Sequence, residues 1–243
     1  MGQIHSFELK GIVYEIYTNK NRASVIKNKS EANHIIIPRS LQYKNKEYII
    51  TSISRSAFRH SIHTQNIQFA VDSEIQTIGA DAFMESDIQS ILIPPHVTQI
   101  CSGAFCNCIN LKQVEFSPNC KIQVIEEVVF ADTSLETITI PNKVIRICID
   151  AFEGCKKLKH VEFSEDSELT TIGEEAFIGL PIESITIPQK VIDLKDVWCQ
   201  LTRKLNTIHV HQNNTRYSLY KEKVIIGKSR PDIGNYDELV FAY

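Results

Sequence analysis

The stretch "LETITIPNKVIRICIDAFEGCKKLKHVEF" (residues 135–163) decides the fold, because its pattern recurs along most of the chain. Two short runs of alternating apolar and polar residues flank an "ICIDAF" segment. Alternation with a period of two predicts a strand that is buried on one side only. A proline after the first run ends that strand, because proline has no N–H to donate to a β-ladder.

The aromatic residue of the "ICIDAF" segment marks one unit of a repeat. Its counterparts are separated by 25, 22, 25, 22, 25 and 21 residues, and they are Phe58, Phe83, Phe105, Phe130, Phe152, Phe177 and Trp198. An isoleucine stands five residues before each of the first six: Ile53, Ile78, Ile100, Ile125, Ile147 and Ile172. Two successive units span 47 residues, and seven units in register are hard to obtain by chance.

No unit of this length can bury its own apolar side, whereas stacked units bury a continuous core. The repeat therefore predicts a solenoid with a parallel β-sheet on one face and short strands, turns and one-turn helices on the other. Solenoid ends expose core and strand edges, so we expect antiparallel β caps. The predicted regions are a hairpin cap with the first strand (1–45), about seven repeats (46–212) and a C-terminal cap (213–243).

The unit at 135–163 closely resembles the BspA-like leucine-rich repeat, a family of mucosal bacteria and protists. The resemblance covers about residues 35 to 212. It implies an α/β repeat class, a right-handed leucine-rich-repeat solenoid, and a non-enzymatic role in adhesion or protein recognition. The implied partner is a protein, such as a host matrix or cell-surface protein, or a glycan. The chain departs from the family in showing no signal peptide and no transmembrane tail after the repeats, and it lacks the Asn or Cys ladder that follows the strand in ordinary leucine-rich repeats.

The outward positions of the predicted sheet are the candidate partner-binding residues, because alternate side chains of a strand share one face. They are Lys112, Gln113, Glu115, Glu136, Thr137, Thr139, Lys159, His160, Glu162, Glu183, Ser184, Thr186 and His209. The signs alternate along one column, from Lys112 through Glu136 and Lys159 to Glu183. This column is either a ladder of cross-strand ion pairs, each worth about 0.2–1 kcal/mol, or part of a recognition surface.

Several functions are disfavoured by composition and motif. The net charge of −3 and the lack of a basic run disfavour nucleic acid. No apolar run reaches the roughly 18 residues of a transmembrane helix. Phosphate-loop, G-x-S-x-G and H-E-x-x-H motifs are missing, so we expect neither catalysis nor a cofactor. His209 and His211, with His160 one strand away, lack a further ligand, so we expect no metal site.

Localisation is left open by opposing signals. "MGQIHS" fits an N-myristoylation motif at Gly2, although coincidence or a cloning remnant is the preferred explanation. The missing signal peptide and the odd count of seven cysteines favour the cytoplasm, whereas the family resemblance favours the cell surface or secretion. The alternative function is therefore an intracellular or membrane-apposed interaction scaffold. Self-association through solenoid ends or sheet edges is also open.

Three cysteines in "ICSGAFCNC" (100–108) resemble a metal or redox site at first sight. The repeat favours another interpretation, because Cys101 and Cys108 lie 47 residues before Cys148 and Cys155. Positions two coils apart are separated by about 10 Å, which is too far for a disulfide. We therefore expect small packing residues, with Cys106 partly exposed.

Overall fold

The structure of the protein, a computed structural model, describes residues 3–221, 224–228 and, for the backbone, 238–242. The candidate lipidation position, Gly2, lies outside the described residues. Within them, no helix has the length and apolarity that a membrane crossing requires.

Strands account for all the regular secondary structure in the described part of the chain. They are β1 (Ile4–Leu9), β2 (Ile12–Tyr17), β3 (Arg22–Asn28), β4 (His34–Ile37), β5 (Ser40–Tyr43), β6 (Lys46–Ile53), β7 (Asn66–Phe69), β8 (Thr77–Ile78), β9 (Ser90–Ile93), β10 (Gln99–Ile100), β11 (Gln113–Phe116), β12 (Val124–Ile125), β13 (Thr137–Ile140), β14 (Arg146–Ile147), β15 (His160–Phe163), β16 (Thr171–Ile172), β17 (Ser184–Ile187), β18 (Asp193–Leu194), β19 (Thr207–Val210), β20 (Tyr217–Tyr220), β21 (Val224–Gly227) and β22 (Glu238–Ala242).

One strand of each coil contributes to the sheet face, and there are eight such long strands: β4, β7, β9, β11, β13, β15, β17 and β19. Their second and fourth residues point into the core, as Ile138 and Ile140 do, while the first and third are mostly exposed. The pairing is parallel, as predicted, but it is divided into three ladders: β4-β7-β9-β11, β13-β15 and β17-β19.

A second wall is built from bridge strands, six of which carry the isoleucine five residues before an aromatic, while β18 carries Leu194 four residues before Trp198. These strands are β6, β8, β10, β12, β14, β16 and β18. Ile53 pairs with Ile78, and Ile78 with Ile100, in parallel register. The predicted isoleucine column is confirmed, because all six members are buried. The structure is thus a β-solenoid of eight coils, counted by its long strands.

The aromatic side chains form a continuous stack along the core. Six phenylalanine rings, from Phe58 to Phe177, lie 5.1 to 5.5 Å from their neighbours, and each is fully buried. Trp198 ends the stack with an edge contact at 6.4 Å. This stack is the interior counterpart of the sequence repeat, since seven of the eight coils contribute one ring each.

The predicted one-turn helices, and with them the α/β class, are wrong for the described residues. Left-handed backbone flanks the aromatic on both sides, as at Asp81 and Glu85 around Phe83. A helix cannot continue through such residues. The turns instead form a third ladder between coils, in which the Phe58 N–H donates to the Ala82 carbonyl and the Phe83 N–H to the Ala104 carbonyl.

Both ends carry antiparallel strands, but their details differ from the prediction. At the N-terminus β1, β2 and β3 form a three-stranded antiparallel unit, and β3 then pairs in parallel with β6. At the C-terminus β20, β21 and β22 form a three-stranded antiparallel sheet. The predicted boundaries at residues 45 and 212 stay a prediction.

The cysteines are all free thiols. Cys108 donates to the Phe83 carbonyl at 2.9 Å, and Cys155 donates to the Phe130 carbonyl at 3.0 Å. Both are fully buried, so the prediction of packing residues is confirmed for this pair. Cys106 is partly exposed, as expected.

Candidate functional site

The sheet face is the side of the eight long strands that points away from the core. Its positions follow from strand geometry, because apolar residues at the second and fourth positions turn the first and third outward. All thirteen residues predicted from the sequence are exposed: nine lie at first or third strand positions, and the other four lie one residue before a long strand, namely Lys112, Glu136, Lys159 and Glu183. The predicted residues are therefore accessible from solvent.

Strand pairing brings several of these residues together. Thr137 lies opposite His160, and Thr139 opposite Glu162, with the Thr139 hydroxyl 3.0 Å from the Glu162 carboxylate. On the next ladder Ser184 lies opposite Thr207, and Thr186 opposite His209. The C-terminal half of the sheet face thus presents hydroxyl, carboxylate and imidazole groups side by side, where a single partner could contact them together.

The alternating charges do not form the ion-pair ladder that one interpretation predicted. No nitrogen–oxygen pair within 4.0 Å links the described side chains of Lys112, Glu136, Lys159 and Glu183. Their backbones do align, since the Lys159 N–H donates to the Glu136 carbonyl at 2.9 Å. The four charges therefore stay hydrated and available to a partner.

A polar groove of about 360 Å³ lies where the ladder between β11 and β13 is interrupted. Two predicted residues, Glu115 and Thr139, line it together with Asn119 and Asn142. At this interruption β11 and β13 remain neighbours without ladder pairing, and side chains of both strands line the groove. The groove gives the centre of the face a depression rich in hydrogen-bonding groups.

The histidines are not arranged as a metal site. His160 stands on β15 and His209 on β19, with β17 between them, so they are two strands apart rather than one. His211 accepts a hydrogen bond from the Asn213 N–H at 3.1 Å. Among the described residues, no group of three His, Cys, Asp or Glu side chains is placed to hold a metal.

The sequence analysis did not predict that the N-terminal end of the sheet face is apolar. Ile36 and Leu92 occupy outward positions and are 59% and 53% exposed, and Val71 beside them is 98% exposed. Leu92 and Val71 join Pro94 and Pro118 around a groove of about 380 Å³. The sequence contained a signal for this apolar region, because Leu92 stands at an outward strand position and is followed by Pro94 and Pro95.

These features define a parallel β-solenoid of short leucine-rich-type repeats. The sequence profile of the "BspA type Leucine rich repeat region" matches in six copies over residues 27–124 and 123–221. The chain belongs to this family. No curated protein sequence is similar enough to count as a match.

Solved structures share the fold. The pneumococcal vaccine antigen PcpA is 22% identical with a TM-score of 0.66, and the alignment covers 92% of this chain and 54% of that one. A leucine-rich cell-surface protein of Faecalibacterium prausnitzii is 20% identical with a TM-score of 0.62, covering 93% and 59%. The T. pallidum leucine-rich repeat protein is 19% identical with a TM-score of 0.62, covering 79% and 82%. The chain thus spans little more than half the length of the first two.

Proposed function

We propose that this protein is a non-enzymatic recognition module whose sheet face binds a protein or a glycan. The observation that carries the proposal is the contrast within each long strand. Inward positions repeat apolar residues, while nine of the predicted residues occupy outward strand positions and carry exposed side chains of varied polar chemistry. Interfaces of this kind gain specificity from placed hydrogen-bonding groups rather than from a deep cavity.

Adhesion at a cell surface is the finer form of the proposal. Its support is the family, together with two solved structures of the same fold described as a vaccine antigen and a cell-surface protein. The hydrated charges and the polar groove between β11 and β13 suit a polar partner such as a matrix protein or glycan.

The test uses an array of extracellular-matrix proteins and glycans, probed with the purified protein. A quadruple variant, Lys112→Ala, Glu136→Ala, Lys159→Ala and Glu162→Ala, removes two positive and two negative charges from the face. We expect binding to weaken at least about tenfold, since a few central residues carry most interface energy. The thermal midpoint should stay nearly unchanged, because exposed substitutions cost little.

A matched control removes the same charges from the turn side of the solenoid. It combines Glu153→Ala, Lys156→Ala, Lys157→Ala and Glu174→Ala, all of which are exposed. This variant should bind like the unaltered protein. Equal binding by both variants, or the absence of any ligand on the array, would contradict the proposal.

A further inference from the structure

The first coil of the solenoid is incomplete. In the seven coils from β4 to β18, the chain runs from a long strand to a bridge strand and then through the aromatic turn. Strand β3 has the place of a bridge strand, because its Val25 pairs in parallel with Ile53 of β6. The chain that precedes β3 is β2, which runs antiparallel to it. The coil that contains β3 therefore has a bridge strand but no long strand.

The missing strand leaves β4 as the edge of its ladder. Strand β4 pairs with β7 on one side and has no second partner among the described residues. The Asn33 and Ile37 carbonyls accept hydrogen bonds from the Asn66 and Ala70 N–H groups on that paired side. Backbone groups alternate in direction along a strand, so the N–H and C=O of His34 and Ile36 point to the open side.

A groove of about 370 Å³ runs along this open edge. Its lining is largely apolar: Leu9, Ile12 and Tyr14 contribute from β1 and β2, and Ile35 and Ile36 from β4. The volume is within the range of protein ligand sites. The N-terminal unit thus supplies a floor beneath the position that a further long strand would occupy.

We propose that an extended segment of a partner protein binds this groove as the missing long strand, parallel to β4. Four backbone groups of His34 and Ile36 would then be paired by β-augmentation. Complete coils fill the second and fourth positions of the long strand with apolar residues, as Ile138 and Ile140 do in β13. The partner segment is therefore an alternating one whose second and fourth residues are apolar and preferably β-branched.

A second copy of this chain fits the edge poorly. Strands β3, β2 and β1 extend the bridge wall beyond β6, past the level of β4. Two copies joined at β4 would bring both projecting units into the same space. A single extended segment would occupy only the groove and would therefore avoid this steric conflict.

The probe is a fluorescent nonapeptide with the sequence of residues 135–143, "LETITIPNK", which contains a long strand of this chain. We expect saturable binding by fluorescence anisotropy. Amide hydrogen exchange at His34 and Ile36 should slow on binding, while Ile35 and Ile37, already paired with β7, should change little. A control peptide with lysine at both inward isoleucines should not bind.

Two variants test the backbone contacts. Ile36→Pro removes one outward N–H, and proline is tolerated where the N–H faces solvent at an edge. We expect peptide binding at least about tenfold weaker, since a hydrogen bond and its alignment are lost. Ile36→Ala keeps the N–H but removes the same side chain from the groove lining, so it should bind the peptide at least about threefold more tightly than Ile36→Pro does.

A modified peptide tests the same contact without altering the protein. The Ile138 amide of the bound peptide would face β4, so its N-methylation should abolish binding. Methylation of the Thr139 amide, which would point away, should be tolerated. No saturable binding, equal binding of both methylated peptides, or slowed exchange only outside β4 would overturn the proposal. Neither result bears on the proposed function, because the array ligand is expected to bind the sheet face and not this groove.

Discussion

The interior and the sheet face of the solenoid are built from the same coils, yet they follow opposite rules. Inside, one residue type recurs in coil after coil, as in the phenylalanine stack from Phe58 to Phe177. Outside, the third position of the strand runs through Ile36, Gln68, Leu92, Glu115, Thr139, Glu162, Thr186 and His209. The difference indicates that stacking constrains the core, whereas the face is free to vary.

The physical reason lies in the spacing between coils. Phenylalanine rings 5.1 to 5.5 Å apart fill space when they are identical, because each ring packs on the next. A repeated charge at the same spacing would repel its neighbours. Recognition chemistry is therefore expected where the repeat is not kept.

The largest effect should come from breaking the stack. Phe105→Ala removes a ring that contacts Phe83 and Phe130, at 5.2 and 5.5 Å, in the middle of the core. We expect a loss of about 3–5 kcal/mol in the free energy of unfolding, measured by urea denaturation. Phe105→Leu, which keeps much of the volume, should lose less. A loss under about 1 kcal/mol for the alanine variant would contradict the importance of the stack.

The thiols offer a pH test of the interior. Burial raises the pKa of Cys108 and of Cys155 to about 11, from an ordinary value of 9.0. The folded state thus favours the neutral thiol, and this contribution to stability is complete below pH 9 and lost as the pH rises through about 11. At pH 8 iodoacetamide should modify both at least about 100-fold more slowly than in the unfolded chain.

The internal control for the thiols is the partly exposed Cys106, which should be modified before either buried cysteine. Mass spectrometry of peptides from the labelled protein measures the three rates together. Equal rates for Cys106 and Cys108 would show that the core opens far more readily than its packing indicates.

The next largest loss of stability should come from a position where two coils approach closely. A Cβ added at Gly173 would lie 2.6 Å from the backbone carbonyl carbon of Cys148 in the preceding coil. Gly173→Ala should therefore cost about 1–3 kcal/mol by thermal or urea unfolding. Cys101→Ala, at the same position of an earlier coil, introduces no added atoms and should cost less than about 1 kcal/mol. Similar losses for the two variants would refute the steric explanation.

The smallest effect should be a gain in stability at a turn. Val128 has a φ of 49°, a left-handed conformation that a β-branched residue rarely adopts, while Gly103 holds the same position one coil earlier. Val128→Gly should stabilise the protein by about 1 kcal/mol, because it releases backbone strain. The reverse exchange, Gly103→Val, should destabilise it. A melting temperature that falls in Val128→Gly would contradict this account.

Much of the core could be predicted, because the positions at which apolar residues recur in every repeat are the buried ones. The isoleucine column at Ile53, Ile78 and Ile100 and the aromatic column at Phe58 and Phe83 are both buried. The outward residues followed from the same register. The helical turns failed as a prediction, since a short "ADAF" segment is compatible with either a helix or a tight turn, and only inter-coil hydrogen bonds select the latter.

The sequence by itself determined the repeat, the buried columns, the family and the polar character of the face, because each depends on periodicity along the chain. Only the tertiary structure decided where neighbouring long strands lack ladder pairing and where a coil lacks its long strand. The groove between β11 and β13 and the open edge of β4 depend on contacts between residues distant in sequence. Periodicity does not report such contacts, since the same repeat pattern is compatible with a continuous or an interrupted sheet.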